Sequence, residues 1–321
     1  MKSLITGGAG FIGSNLVDAL VSEGDDVLVV DDLSTGREVN LARALDSGAV
    51  FVRGDIADPE LLRAQTEAFR PDRIFHLAAQ ADVRKANEDP GFDARVNVIG
   101  TINVLEAARR HGPIPVIFAA TGGAVYGEGQ DARLPFTEAT VPAPESAYGV
   151  SKLASEFYVA LYGRLHGVPG LALRFGNVYG PRQDPHGEAG VVAIFCGRLL
   201  AGETVTVFGD GLQTRDYVFV NDVVDSLLRG AEALARHGVG IEGPLNIGTG
   251  KESTVLDLLQ ILAPLCGLDP VPEHAPARPG EVQRVSIDPA NAERTLGWKP
   301  KTVLEDGLSA TLDSVREARE N

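Results

Sequence analysis

The chain has 321 residues, 44% hydrophobic and 23% charged, enough for one large or two moderate domains with a full core. Its 44 acidic and 29 basic side chains leave a formal net charge of −15, which argues against nucleic acid or an anionic membrane as partner, since both are polyanions. No apolar run approaches the roughly 20 residues of a membrane span and no basic-then-apolar leader opens the sequence. Cys196 and Cys266 lie in apolar helical contexts with no disulfide or metal-ligand spacing, so they read as inert core residues of a metal-free cytoplasmic protein.

The first strand, Leu4–Thr6, breaks into Gly7-Gly8-Ala9-Gly10-Phe11-Ile12-Gly13 and re-emerges as the helical run Ser14 to Ser22. Glycines let the backbone come close to a ligand, and a helix N-terminus offers unpaired N–H groups to an anion. The spacing G-x-x-G-x-x-G is a variant of the dinucleotide fingerprint. A second strand, Val27–Val30, ends in Asp31-Asp32, about 20 residues on, where an acid takes the adenosine ribose hydroxyls. A carboxylate there repels a 2′-phosphate, so the cofactor expected is NAD rather than NADP.

Strands follow at Val50–Arg53, Arg73–Leu77, Val116–Ala119 and Leu171–Phe175, apolar on both faces as in a parallel sheet covered by helices on both sides. The third strand runs into Asp55-Ile56 near the adenine position, and the fourth ends in His76-Leu77-Ala78-Ala79, whose small residues let backbone pass beside a cofactor. His76, on a buried strand, reads as a satisfied core histidine. Long helices are expected over Phe92–His111, with Asn97 near its start, and over Ala147–His166. Both are apolar on more than one face, which suits packing on the sheet and on a second subunit.

Beyond Phe175 the texture changes. Gly176 to Gly190 read as irregular chain holding Arg182, Asp184 and His186, followed by a helix Val191–Leu200 and a strand Thr204–Phe208. A turn, Gly209 to Asp216, leads to Tyr217–Val220, and Asn221 is placed to cap the next helix. A Pro-rich stretch from Pro270 to Pro279, then Leu296-Gly297-Trp298 and an amphipathic helix close the chain. The expected fold is α/β: a doubly wound Rossmann-type parallel sheet plus a smaller α+β lobe over the carboxyl end of the strands. Residues 1–174 form the dinucleotide-binding domain, to which 212–247 return, and 175–211 with 248–321 form the substrate lobe.

Tyr148-Gly149-Val150-Ser151-Lys152 carries the chemistry. On a helix the tyrosine and lysine share a face. A lysine ammonium near the phenol favours phenolate and lowers its pKa from about 10, giving a base usable near neutrality.

With these motifs in place the chain resembles an extended short-chain dehydrogenase/reductase and, within that group, the UDP-glucose (UDP-galactose) 4-epimerases. The matching residues are the glycine loop, His76–Ala79, Asn97-Val98-Ile99-Gly100-Thr101, Tyr148 with Lys152, Arg174 to Pro181, Arg215-Asp216-Tyr217 and Leu296-Gly297-Trp298. The resemblance implies that Gly7, Gly10, Phe11, Ile12, Gly13, Asp31, Asp32, Ser34, Asp55, Ile56, Leu77, Ala78, Ala79, Gln80, Asn97, Tyr148, Lys152 and Phe175 hold NAD. It implies a UDP-sugar substrate on Thr121, Tyr148, Asn177, Val191, Val207, Phe208, Arg215 and Arg278, the arginines serving the diphosphate. Tyr148 would take the sugar 4′-hydroxyl proton while hydride moves to NAD, and the transient 4-keto sugar would turn and take it back on its other face. The resemblance also implies a homodimer.

One departure concerns the hydroxyl that such enzymes place four residues before the tyrosine of Val-Tyr-Gly. That position is Gly122, so either Thr121 reaches in or a water fills the gap, and Thr121 is the expected third catalytic residue. A nucleotide-sugar 4,6-dehydratase is the rival, but the acid–base pair it needs is replaced by Gly122-Gly123. Epimerases of UDP-N-acetylglucosamine or UDP-glucuronate stay open, and a non-catalytic NAD-binding regulator would not need Tyr148 and Lys152. Val285 and Ser286, both small, are the positions expected to face the sugar.

Overall fold

The computed structural model describes residues 1–128, 133–185, 190–238, 243–277 and 282–320. Its strands are β1 (Lys2–Thr6), β2 (Asp26–Asp31), β3 (Val50–Arg53), β4 (Arg73–His76), β5 (Val116–Thr121), β6 (Gly170–Phe175) and β7 (Asn177–Tyr179). They continue with β8 (Thr206–Phe208), β9 (Thr214–Arg215), β10 (Tyr217–Phe219), β11 (Leu245–Ile247), β12 (Ser253–Thr254) and β13 (Glu273–Ala275). Seven form one sheet in the order β11-β6-β5-β4-β1-β2-β3, every pair parallel.

The order reverses at β1, so the crevice opens where β1 and β4 diverge at their carboxyl ends, the ligand position of such sheets. Continuous apolar strands demand cover on both faces. On one face Leu16, Val17 and Leu20 of the helix Phe11–Ser22 meet Val223, Leu227 and Leu234 of the helix Val220–His237 and Ile5, Val29 and Phe75 of the strands. On the other, Leu62, Val104, Leu105, Val159 and Tyr162, from helices Pro59–Phe69, Gly100–Arg110 and Ala147–His166, cover Leu4, Ile74 and Phe118. A separate core joins Val191–Leu200, Val255–Leu265 and the last helix, Leu304–Glu320, with residues of β8 and β10.

Four local readings change. The helix expected over Phe92–His111 is three pieces: Pro90–Ala94, a π-helical turn Arg95–Ile99 and Gly100–Arg110. Apolar spacing does not reveal the extra residue of a π turn, a feature that tends to mark functional sites. Asn221 caps nothing: the helix starts at Val220 with Phe219 as N-cap and no side-chain cap bond. Part of the stretch read as irregular after Phe175 is β7, paired in parallel with β10. Cys196 is buried as expected, whereas Cys266, at the end of its helix, is only half-buried.

Candidate active site

The glycine loop is shaped by contacts no side chain could share. A Cβ on Gly7, which has φ +73°, would lie 2.5 Å from the Ala78 backbone N, and one on Gly13 would lie 2.1 Å from the Gly7 carbonyl oxygen. The helix Phe11–Ser22 starts from Gly10 with no side-chain cap bond, leaving first-turn N–H groups for an anion. Asp31 closes the loop: its Oδ2 accepts from Ala9 N at 2.9 Å and its Oδ1 from Leu33 N at 2.9 Å. Burial raises its pKa, with the neighbouring Asp32 adding to the rise against those two backbone donors. Asp32 accepts from Ser34 N at 2.8 Å, and both residues are exposed.

Opposite, Leu77, Ala78, Ala79 and Gln80 leave the end of β4, all half-buried. Asn97 sits in the π turn with 2% exposure and pins this segment both ways, accepting from Gln80 N and donating to Gln80 O at 2.9 Å each. Its Nδ2 also faces Asp93 Oδ1 at 3.0 Å and Ser151 Oγ at 3.1 Å. Asn97 is thus a brace for the cofactor-side backbone. Ile56 is buried against Gly100, and Asp55 accepts from Ala57 N at 2.8 Å.

His76 is a satisfied core residue. Thr101 donates its hydroxyl to Asn97 O at 2.6 Å, so its oxygen accepts from His76 Nε2–H at 3.0 Å, and His76 Nδ1 accepts from Thr6 Oγ1 at 2.7 Å. Burial, helped by the Lys152 charge, lowers its pKa to about 3, so the ring is neutral.

Tyr148 and Lys152 lie in the first two turns of the helix Ala147–His166, started by Ser146, whose Oγ accepts from Gly149 N at 3.1 Å. Thr121, at the end of β5, is the hydrogen-bond partner of the Tyr148 side chain and also accepts from Ala124 N at 3.2 Å. Gly122 offers no hydroxyl, and a Cβ there would sit 2.7 Å from Ile287 Cδ1, the tip of a side chain that would have to shift.

The expected lowering of the tyrosine pKa is reversed in the structure. Burial and the Asp93 carboxylate push Tyr148 up to about 12, against the Thr121 hydrogen bond. Lys152 Nζ lies 4.4 Å from the centroid of the Phe118 ring, and burial lowers its pKa to about 8 against Glu156 and Asp93. A desolvated ammonium on an aromatic face does not stabilise a phenolate until it turns toward it.

At the substrate end, Phe175 closes β6 and Asn177 opens β7, its Oδ1 3.3 Å from where a Gly123 Cβ would stand. Val191 and Phe208 are half-buried, while Val207 is a core side chain that can offer only backbone. Arg215 donates to Thr214 O at 2.8 Å beside Asp216, whose carboxylate gathers Thr249 N and Oγ1, Gly250 N and Ile287 N within 2.6 to 3.1 Å. Arg278 lies outside the described residues. Val285 and Ser286 are both only 1% exposed, so neither side chain opens onto a pocket as expected. They are held by strand-like bonds, Val285 N to Thr214 O at 3.3 Å and Phe136 N to Ser286 O at 2.8 Å.

Sequence reasoning passed over Asp93, the buried acid facing both Tyr148 and Lys152, and the pair Glu156–Arg174 behind them. Glu156 continues the four-residue spacing from Tyr148 through Lys152, and Arg174 is the lone charge in an apolar strand; those signals were available. Among the described residues no group of His, Cys, Asp and Glu could hold a metal ion, and no helix is long and apolar enough to cross a membrane.

Residues 3–248 match the model of the NAD dependent epimerase/dehydratase family. The chain is 44% identical over 317 residues to a UDP-glucose 4-epimerase of Mycolicibacterium smegmatis, covering 98% of this chain and 99% of that one. A crystal structure of UDP-glucose 4-epimerase from Thermotoga maritima with UDP-glucose matches with TM-score 0.92 at 43% identity, covering 99% of this chain and 100% of that one. The Thermus thermophilus UDP-glucose 4-epimerase in complex with NAD matches with TM-score 0.87 at 43% identity, covering 99% and 100% of the two chains. The chain belongs to the NAD dependent epimerase/dehydratase family.

Proposed function

We infer that the protein is an NAD-dependent 4-epimerase interconverting UDP-glucose and UDP-galactose. The observation that carries this reading is the Tyr148–Thr121 contact at the carboxyl end of β5, on a chain with full-length similarity to UDP-glucose 4-epimerases. The glycine cradle fits a dinucleotide, because backbone fills the space a Cβ would need at Gly7 and Gly13, and the helix behind it is uncapped. Gly7, Gly10, Phe11, Ile12 and Gly13 would hold the pyrophosphate, Asp31, Asp32 and Ser34 the adenosine ribose, Asp55 and Ile56 the adenine. Leu77 to Gln80, braced by Asn97, would flank the nicotinamide half with Lys152 and Phe175. NAD supplies a hydride acceptor and donor when bound.

The chain's own residues do the rest. Tyr148 Oη takes and returns the proton of the sugar 4′-hydroxyl, with Thr121 Oγ1 orienting that phenol. Lys152, turned from the Phe118 ring toward the tyrosine and the ribose, supplies the positive charge that lowers the phenol pKa. The UDP moiety binds over Asn177, Val191, the backbone of Val207, Phe208 and Arg215. The cofactor domain spans 1–174 with 212–247, and the substrate lobe 175–211 with 248–321. A 4,6-dehydratase is disfavoured because Gly122 and Gly123 transfer no proton.

Val150, Phe157, Leu161 and Leu165 are exposed on the outer face of the catalytic helix, and Ile99 and Phe92 are exposed on segments that pack against it. This apolar stripe supports a homodimer in which the helices of 92–111 and 147–166 pair across a two-fold axis. Two free thiols fit the reducing cytoplasm. The test is direct: incubate the purified protein with UDP-glucose, UDP-galactose and their N-acetyl and uronate relatives without added NAD. Exchange confined to the glucose/galactose pair supports the reading; a 4-keto-6-deoxy product replaces it with dehydration.

A further inference from the structure

Behind the catalytic pair lies a charged group that the chemistry above does not use. Glu156 is 6% exposed and stands one helical turn beyond Lys152, so Tyr148, Lys152 and Glu156 form one inward row, with neighbours about 5–6 Å apart at Cβ. Arg174, 4% exposed in the middle of β6, grips the carboxylate from two sides: Nε at 3.0 and 3.2 Å and Nη2 at 2.7 Å. The fork is itself anchored. Arg174 Nη1 donates to Tyr126 Oη at 2.8 Å, Tyr126 donates to Asn246 Oδ1 at 2.8 Å, and Asn246 Nδ2 donates to Phe136 O at 3.0 Å.

A buried ion pair is weak evidence for stability, since desolvation consumes most of its attraction. Its cost points to another use, and its geometry shows which. Lys152 is the one buried lysine of the six in the chain. The charged or titratable groups that bear on it are Glu156 of its own helix, Asp93 of Pro90–Ala94, His76 of β4, and Arg174 of β6 through Glu156. His76 is neutral, and Asp93 is engaged by Gln80 Nε2 and Asn97 Nδ2 at 3.1 and 3.0 Å. Glu156 is the anion fixed by a full guanidinium fork.

We propose that Glu156, held by the Arg174–Tyr126–Asn246 chain, is a positioning residue: the fixed counter-charge that keeps the buried Lys152 amine an ammonium ready to turn to Tyr148. Burial pushes the Glu156 carboxyl up, and the Arg174 hydrogen bonds and charge pull it back toward ionisation. Burial alone moves Lys152 the wrong way for its task, and Glu156 leads the charges that oppose it. The inference rests on the reading of Tyr148 and Lys152 as the catalytic pair, and its first test does not depend on turnover.

With six lysines in the chain, the Lys152 side-chain signals of lysine-labelled, cofactor-stripped protein can be assigned by their loss in Lys152→Met and followed with pH by NMR. In Glu156→Gln the Lys152 titration should fall by about one pH unit, the scale of one charge a helical turn away, while Glu156→Asp should stay near the wild type. The alkaline limb of kcat should move with it. If Glu156→Gln does not fold, the double variant Glu156→Gln/Arg174→Gln replaces the ion pair by two neutral, hydrogen-bonding side chains and should still lower the Lys152 titration, by less than the single variant because the Arg174 charge is removed too. An unchanged Lys152 titration in the folded variant overturns the proposal, even if stability falls. Near-normal activity of Tyr148→Phe would instead remove the catalytic reading and leave the NMR result standing.

Discussion

A Cβ on Gly122 would stand 2.7 Å from Cδ1 at the tip of Ile287, so a side chain there requires Ile287 to shift. The nearest side-chain hydroxyl stands one residue earlier, on Thr121, the hydrogen-bond partner of Tyr148 at the end of β5. Thr121→Ala should lower kcat while Thr121→Ser retains most of it. Adding Gly122→Ser to Thr121→Ala should not restore turnover, and it should cost about 1–3 kcal/mol of stability by overpacking. Restored turnover at full stability would show that Ile287 does not decide the hydroxyl's position. Tyr148→Phe should cost at least about a hundredfold in kcat with little change in KM, the usual scale for a positioned general base.

The helix Ala147–His166 works on two faces. Its inner row holds Tyr148, Lys152 and Glu156; its outer row exposes Val150, Phe157, Leu161 and Leu165. The Tyr148–Lys152 pair and the second apolar face were read from the sequence, because four-residue spacing maps directly onto a helix face; Glu156, on the same spacing, was passed over. The helix over Phe92–His111 was legible in its apolar character and not in its continuity. The π turn at Arg95–Ile99 adds one residue where Asn97 must reach Gln80, and that demand comes from the neighbouring chain. Asn97→Ala, which removes both bonds to Gln80, should weaken NAD binding by calorimetry more than it lowers the melting temperature of stripped protein. On the outer face, Phe157→Asp with Leu161→Asp should convert a dimer to a monomer by light scattering. A wild-type protein that is monomeric at micromolar concentration would contradict the pairing.

In the whole molecule the parallel sheet, the two-sided cover and the cofactor crevice follow from the alternation of apolar strands with helices. Exposure of the sugar-facing segment did not. Val285 and Ser286 were placed by alignment to neighbouring motifs, whereas their burial is set by pairing with Thr214 and Phe136, distant in sequence. The pKa of Tyr148 was likewise misjudged, because proximity on a helix says nothing of desolvation or of Asp93.

His76 ties β1, β4 and the helix Gly100–Arg110 together as a neutral ring, and this has a stability signature. Its folded pKa of about 3 lies below the ordinary 6.5, so between those values the unfolded chain binds the extra proton. Its contribution is full above pH 6.5 and is lost as pH falls toward 3. From pH 7 to 5 the wild type should lose about 2 kcal/mol more than His76→Gln in denaturant melts; equal losses would mean the ring is protonated when folded.

The claim on which the account turns is that bound NAD serves a redox-neutral exchange at the sugar C4′. The most direct measurement starts the purified protein, with no added cofactor, from UDP-glucose in one vessel and UDP-galactose in another, and follows both sugars to equilibrium. The account predicts that both vessels reach the same mixture, that Tyr148→Phe reaches it at least about a hundredfold more slowly, and that the protein stripped of NAD recovers with NAD and not with NADP. Absence of interconversion in NAD-loaded protein, or recovery with NADP as readily as with NAD, would contradict it.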